Sequence, residues 1–396
     1  MDEIRTLRLE EMDESLDLSC FAFQYELDPD ERAARKAHTT PDTIWGYFVE
    51  GRLAAKMTIH PMHTYVGGRL LAMGGVAGVA TWPEYRRQGL VRHLLVNALK
   101  VMKEQGQSVS FLHPFSIPFY RKFGWELYAD YMEVELEASQ LPSGPASEGY
   151  VERVAKDWTL LHPLYSAYAA GYNGMLARDE AWWSQKVFKR NSGQAVLYRK
   201  ASGEAAGYLL YEVKNKQLKI GEFVALDLDA WHGLWRFIAN HDSMFDRITL
   251  RAPVDDPLSF LLFNPRVKRK IEPYFMARIV DVAAFVNQMA FAGTGKPVNL
   301  LLQVEDEHAD WNNGTFELEV EPDGKVRVAQ REGTGGMSVR TGAVAKCRVS
   351  TLTAMLMGYK RPTELHRYGL LAAEVETVEL LEQLLPRRST YLADYF

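Results

Sequence analysis

The 396-residue sequence predicts an α+β protein of three units, and three observations carry that prediction. An apolar meander broken by glycine turns passes into a helical repeat after Pro83, the same order of elements recurs further on, and a Ser/Pro/Gly-rich stretch separates the two copies. At about 150 residues per domain, a chain of this length holds two or three units, each able to bury a core.

Ile4–Leu16 reads as a strand followed by an acid-started helix, and the helical pattern continues through Phe21, Phe23 and Tyr25. Asp28–Asp42 (DPDERAARKAHTTPD) interrupts it with prolines and charge, and reads as an exposed helix or loop at a site entrance. From Ile44 to Pro83, strands separated by turn signals at Glu50-Gly51 and Gly67-Gly68 make an antiparallel meander. Leu90, Leu94, Leu95, Ala98 and Met102 then recur at helical spacing up to Gly106. Ser108–Leu112 is a short strand, SIPFYRKFGW a short helix closed by Gly124, and ELYADYMEVEL a further strand, completing a first unit over 1–145. Ser139–Gly149 reads as a linker. The second unit, 146–284, repeats hairpin strands, a strand with a small loop, and a helix, but has Asp227–His232 (DLDAWH) where the first has arginines. The third, 285–396, has an apolar strand (VNLLLQVED), Asn-Gly and Asp-Gly turns joining the strands of a small sheet, and a last helix ending in RRSTYLADYF.

With a formal net charge of −5, there is no global field for nucleic acid, and no nucleic-acid partner is expected. The short basic runs, Arg266–Lys270 and Arg387-Arg388, read as solvated faces. Cys20 and Cys347 lie far apart, in no metal or redox spacing, so no metal is expected and they read as thiols of a reducing compartment. The charged N-terminus lacks a signal-peptide core, and no run approaches the roughly 18 apolar residues of a membrane span. The expectation is a cytoplasmic protein with no membrane span.

Ala80–Leu95 (ATWPEYRRQGLVRHLL) places adjacent arginines, a glutamine and a glycine directly before the apolar helix. A strand ending at Thr81 feeds a turn at Pro83, and the N–H groups of Arg87 to Arg92 are the free donors of a helix N-terminus. Gly89 lets the backbone approach a ligand closely, and the helix dipole with Arg86, Arg87 and Arg92 favours a pyrophosphate. Arginines at this end oppose the dipole unless an anion is present, so the stretch reads as a ligand site rather than a basic cap.

These residues, with the later FYRKFGWE around Tyr120, resemble the coenzyme A loop and the Tyr-x-x-x-Gly-aromatic element of the GNAT superfamily of N-acetyltransferases. The superfamily loop is Arg or Gln, two variable residues, Gly, one variable residue, then Gly or Ala. Arg86 and Gly89 fill it, and Val91 departs from it at the last place. Two tandem acetyltransferase-like units, a third resembling the sterol carrier fold, and an aromatic last residue resemble the Eis family of aminoglycoside and amine acetyltransferases over essentially the full chain. That resemblance implies tandem GNAT-like domains, the second degenerate, followed by a sterol-carrier-like domain whose C-terminus reaches the active site of the first.

The resemblance also implies roles. Val79, Ala80 and Thr81 offer backbone groups to acetyl-CoA, Arg86, Arg87, Gln88, Gly89, Leu90, Val91 and Arg92 hold its pyrophosphate, and Phe115 and Ser116 make a second contact along it. Tyr120 matches the general acid. A phenol with an ordinary pKa of about 10 stays protonated at neutral pH, although spacing alone reads equally as a core tyrosine. Phe396 has no acid or base in its side chain; the resemblance assigns the general base to its terminal carboxylate, against the frayed end usual for a chain terminus.

A polyamine or aminoglycoside is multiply cationic, so its pocket combines carboxylates with aromatic faces. Candidates are Phe21, Phe23, Tyr25, Glu26, Asp28, Trp45, Asp394 and Tyr395, while His113 reads either as a proton carrier or as structural. The expected activity is acetyl-CoA-dependent N-acetyl transfer to amines of cationic small molecules by direct ternary-complex transfer. The alternatives are a protein lysine or N-terminal acetyltransferase and a non-catalytic coenzyme-A- or lipid-binding interaction protein. The resemblance further implies a homo-oligomer, with a hexamer as its candidate size.

Overall fold

The computed structural model describes residues 2–142, 145, 147–331 and 343–396. Part of the Ser139–Gly149 stretch read as a linker, at 143, 144 and 146, lies outside the described residues. The first unit contributes β1 (Glu3–Thr6), α1 (Met12–Phe23), α2 (Pro29–His38), β2 (Ile44–Val49), β3 (Arg52–Val66), β4 (Arg69–Thr81), α3 (Leu90–Glu104), β5 (Val109–Leu112), α4 (Ile117–Arg121) and β6 (Glu126–Glu137). The second adds β7 (Tyr150–Val154), α5 (Trp158–Ala169), and a helical run of α6 (Glu180–Trp182), a π-helical turn (Trp183–Val187) and α7 (Phe188–Arg190). It continues with β8 (Gln194–Arg199), β9 (Ala205–Lys214), β10 (Gln217–Ala225), α8 (Leu228–Ala239), β11 (Arg247–Ala252), α9 (Leu258–Leu261) and β12 (Lys268–Ile279). The third comprises α10 (Val282–Gln288), β13 (Val298–Glu305), β14 (Gly314–Val320), β15 (Val326–Arg331), β16 (Ala343–Arg348), α11 (Val349–Leu356), α12 (Pro362–Arg367), β17 (Ala372–Ala373) and α13 (Val375–Leu384).

Among the described residues, β1 to β12 form one twelve-stranded sheet in the order β1-β2-β3-β4-β5-β12-β6-β11-β10-β9-β8-β7. The two halves are therefore hydrogen-bonded into a single layer. β12 belongs to the second unit in sequence, yet it lies between β5 and β6, with Met276 opposite Leu112 and Ile279 opposite Val109. Its side chains alternate as a doubly covered strand requires. Met276 packs with the α3 cluster, while Phe275, Ala277 and Ile279 pack with the core of the third unit. The basic run ahead of it is solvated as expected, with Lys268 paired to Glu135 at 3.0 Å. Arg278, on the same strand, is fully buried: it binds Asp306 at 2.8 Å and donates to the Phe123 carbonyl, joining all three units.

One face of this sheet carries α3 and α8; the other carries α1, α5 and the third unit. α3 forms as its pattern predicts, burying Leu90, Leu94, Leu95, Ala98, Leu99 and Met102 on one side. The third unit has a five-stranded sheet, β15-β14-β13-β16-β17, in which β16 runs parallel to β13. Asp323-Gly324 makes the expected β14–β15 hairpin, with Gly324 at φ 89°. Asn313-Gly314, read as a second tight turn, is not one. Asn312 and Asn313 instead bond Asp306, so the stretch from Asp306 to Asn313 folds over the Arg278 ion pair. The last helix also differs from expectation, ending at Leu384 because Pro386 cannot continue it. The segment beyond runs non-helically along the sheet, and Arg388, read as solvated, donates to the Ala170 carbonyl at 2.7 Å. Among the described residues, no helix is long and apolar enough to cross a membrane.

Candidate active site

β4 and β5 pair in parallel only from Met73–Val109 to Val76–Leu112, and β4 then runs on to Thr81 paired with β3 but not with β5. A bulge turns it away: Ala77 opposes Thr58 and Ala80 opposes Lys56, leaving Gly78 and Val79 against a single residue of β3. Gly78 accepts the bulge with φ 59°, a conformation that costs a residue bearing a Cβ about 1–2 kcal/mol. The bulge and the parting strands open a gap edged by the backbone of Ala77–Thr81. The buried Thr81 hydroxyl has no partner among the described residues. A free strand edge beside an orphaned hydroxyl suits an extended chain of amides, which is the form of the pantetheine arm.

Arg86–Gly89 cross the end of this gap, all exposed. φ is positive at Arg87 (64°) and Gly89 (82°) but not at Gln88 between them, an alternation of the kind by which successive backbone N–H groups converge on an anion. The first N–H taken up by the helix is that of His93, which donates to the Gly89 carbonyl at 3.2 Å. Among the described residues, the donors ahead of it have no protein acceptor. Gln88 braces the loop by donating to the Glu84 carbonyl at 3.1 Å. Val91 lies in the first helical turn and packs against the α3 cluster, so its branched side chain is directed into the protein.

Tyr120 is buried on α4, within an aromatic group of Phe115, Phe119 and Trp125. Desolvation pushes its pKa far above the ordinary tyrosine value, so the phenol holds its proton throughout the neutral range. Ser116 stands directly before α4, and Phe115 is largely exposed.

The C-terminal residue reaches this region from the other side. The Phe396 ring packs on Phe275 at 5.1 Å between centroids, with the His60 ring edge-on at 6.4 Å. Gly75, next to the last β4–β5 pair, makes the room: a Cβ there would lie 2.8 Å from the Phe396 ring and 2.9 Å from Met62 Sδ. Burial lowers the His60 pKa to about 4, so this neighbour is neutral at physiological pH. His113 is ringed by Tyr274, Phe275 and Tyr395, and desolvation depresses its pKa also.

The tail is fixed by residues that spacing in the sequence gives no sign of. Asp394 is buried and receives Arg178 Nε at 3.1 Å, Trp182 Nε1 at 2.8 Å and the Tyr165 hydroxyl at 3.2 Å. Arg178 is fully buried, bonds Glu222 at 2.6 Å through Nη2, and lies over the Tyr165 ring at 3.7 Å. Tyr274 donates to the Asp394 carbonyl at 2.9 Å.

This overturns part of the acceptor set. Asp394 is an anchor whose carboxylate is already answered, not a group waiting for an ammonium. Trp45 lies on the α3 side of β2, packed against that cluster, whereas Ile44 and Phe48 face α1; strand alternation thus sets Trp45 on the sheet face opposite the tail. Asp28 caps α2, accepting from the Glu31 N–H at 2.8 Å. Phe23 and Glu26 stay exposed at the end of α1 and in the loop after it, and Tyr395 is half exposed beside His113. Phe21 meets Trp82 at 5.1 Å, and Tyr25 accepts a hydrogen bond from Arg35 at 2.9 Å.

Comparison with known proteins agrees with this architecture. Acetyltransferase (GNAT) domain models match residues 3–128 and 174–279, and a sterol carrier protein domain model matches 282–393. An uncharacterized N-acetyltransferase of Streptomyces avermitilis is 27% identical over 328 residues, covering 76% of this chain and 77% of its own. The N-acetyltransferase Eis of Mycobacterium tuberculosis is 26% identical over 285 residues, 67% of each chain. A crystal structure of a probable N-acyltransferase from Enterococcus faecalis superposes over the whole of both chains with a TM-score of 0.89 at 25% identity. The chain is an N-acetyltransferase of the GNAT superfamily, built from two acetyltransferase domains and a C-terminal sterol carrier protein domain.

Proposed function

We propose that the first unit transfers acetyl groups to amines of cationic small molecules, of the aminoglycoside or polyamine type, by direct attack in a ternary complex. The observation that carries this reading is the seating of the last residue on Gly75, beside the gap between β4 and β5. The loop Arg86–Arg92 holds the pyrophosphate of acetyl-CoA, and Val79, Ala80 and Thr81 pair with its pantetheine arm, as the free strand edge and open helix N-terminus support. Phe115 and Ser116 lie further along it.

Acetyl-CoA supplies the thioester. The Phe396 carboxylate takes the proton from the substrate ammonium, directly or through water, and the freed amine attacks the carbonyl carbon. A backbone N–H near Val79 donates to the oxygen on which charge gathers, and Tyr120 gives its proton to the departing sulfur; each proton transfer of this kind contributes roughly 100- to 10,000-fold. The C–N bond forms as the C–S bond breaks, coenzyme A leaves as the thiol, and the second proton of the attacking nitrogen returns through water to the Tyr120 phenolate. Tyr120 packs with the α3 cluster and Phe396 with the core on the opposite face, so a thioester in the gap is approached from both sides. Phe23, Glu26 and Tyr395 are the acceptor-side residues this reading retains.

The test incubates the protein with acetyl-CoA and a mixture of aminoglycosides, polyamines and peptides, followed by mass spectrometry. Acetylated small amines support the reading, whereas products confined to peptides transfer it to protein acceptors. Thiol release no greater than the no-acceptor background removes it. The homo-oligomer, up to a hexamer, is checked by analytical ultracentrifugation.

A further inference from the structure

The second half of the sheet has an opening of the same kind. β10 and β11 pair in parallel from Gln217–Arg247 to Ile220–Leu250 and then part, with β10 bulged at Gly221. β10 runs on to Ala225 and β11 to Ala252, so two strand edges face one another across a gap. A cavity of about 560 Å³ occupies it, within the size range of small-molecule sites. Glu222–Val224 form one wall and Arg251–Pro253 the other, and Tyr391–Ala393 of the C-terminal tail close it.

Of the charged side chains that line it, Glu133, Glu135 and Glu222 are answered by Arg251, Lys268 and Arg178, while Arg190, Lys219 and Asp256 add charges of both signs. The helix N-terminus that would receive a pyrophosphate is capped by Asp227. Beside these side chains run two strand edges which, among the described residues, have no ladder partner across the gap beyond Ile220–Leu250, and such edges recognise an extended chain of amides. We propose that the gap between β10 and β11 is a second ligand site, taking an extended amide chain such as a pantetheine arm without its phosphates or a short peptide. Because Tyr391–Ala393 line the gap, an occupant presses on the segment that carries Phe396. That consequence rests on the role proposed for Phe396, whereas the binding does not.

The experiment is calorimetric titration of the full-length protein, first saturated with coenzyme A, with pantetheine and with N-acetyl-tetraalanine amide. Saturable binding of either probe supports the site, and which one binds identifies the source of the amide chain. Failure of both overturns it, whatever the acetylation assays give. Thr249→Trp, which fills the gap from β11, should weaken binding at least tenfold, and unchanged affinity in this variant overturns the proposal. A wild-type crystal soaked with the bound probe gives a check independent of that variant's folding. Density between β10 and β11 supports the assignment, and density elsewhere removes it.

Discussion

Two helix N-termini follow the two bulged strands of the twelve-stranded sheet, and they are finished in opposite ways. α3 begins at Gly89, in the left-handed region, with no side-chain cap, and Arg86, Arg87 and Arg92 lie exposed around it. α8 begins at Asp227, whose carboxylate accepts from the Ala230 N–H at 2.9 Å and pairs with Lys200 at 2.9 Å. Asp229 follows, held by the Tyr198 hydroxyl and the Glu148 N–H. The second helix carries its own anion; the first carries none. Similar strand geometry thus leads into an uncapped, arginine-flanked helix start in one unit and an acid-capped one in the other.

The comparison breaks most sharply at the chain's end. One glycine added beyond Phe396 moves the carboxylate while leaving every side chain in place, and turnover should fall about 100-fold or more. Unchanged turnover, with acetyl-CoA affinity as a control, would take Phe396 out of the mechanism. Arg178→Met asks whether the second unit serves the first by holding the tail. Leaving Asp394 and Glu222 without their buried cation costs about 3–5 kcal/mol, so thermal stability should drop, with kcat reduced and coenzyme affinity retained in the folded fraction. Equal loss of coenzyme binding would mark Arg178 as a general fold element.

Tyr120→Phe removes only a hydroxyl, and slower transfer by roughly 100-fold with coenzyme binding intact is expected; lost binding would indicate a packing role. Gly89→Val places a branched residue at φ 82°, where a Cβ itself has open space. The strain of about 1–2 kcal/mol should be relieved by a shifted loop, weakening acetyl-CoA binding about tenfold. Asp227→Ala, the corresponding change in the second unit, should cost about 1 kcal/mol of stability through the lost cap and leave turnover unchanged. A turnover effect there would contradict the division of labour between the units.

Much of the first unit was legible because its signals are local. The 3.6-residue spacing from Leu90 to Met102 gave α3, and the Gly-Gly turn at Gly67-Gly68 gave the β3–β4 hairpin. β12 could not be placed: an apolar run such as Tyr274–Ile279 pairs equally well with any open edge, and only the joint packing of Met276 and Phe275 on two faces selects β5 and β6. Trp45 and Asp394 were misjudged for related reasons. Residue type suggested a cation pocket, whereas face and burial assign one to the α3 core and the other to an ion-pair network.

By itself the sequence determined most elements of the first unit, the uncapped, arginine-flanked start of α3 and the acidic start of α8, because caps, turns and periodicities act over a few residues. The tertiary structure alone decided that two halves share one sheet, that Gly75 makes room for Phe396, and that Arg178 holds Asp394, 216 positions away in the chain. Those contacts depend on burial and on which face of a strand each side chain occupies, and neither is fixed until the whole sheet has assembled.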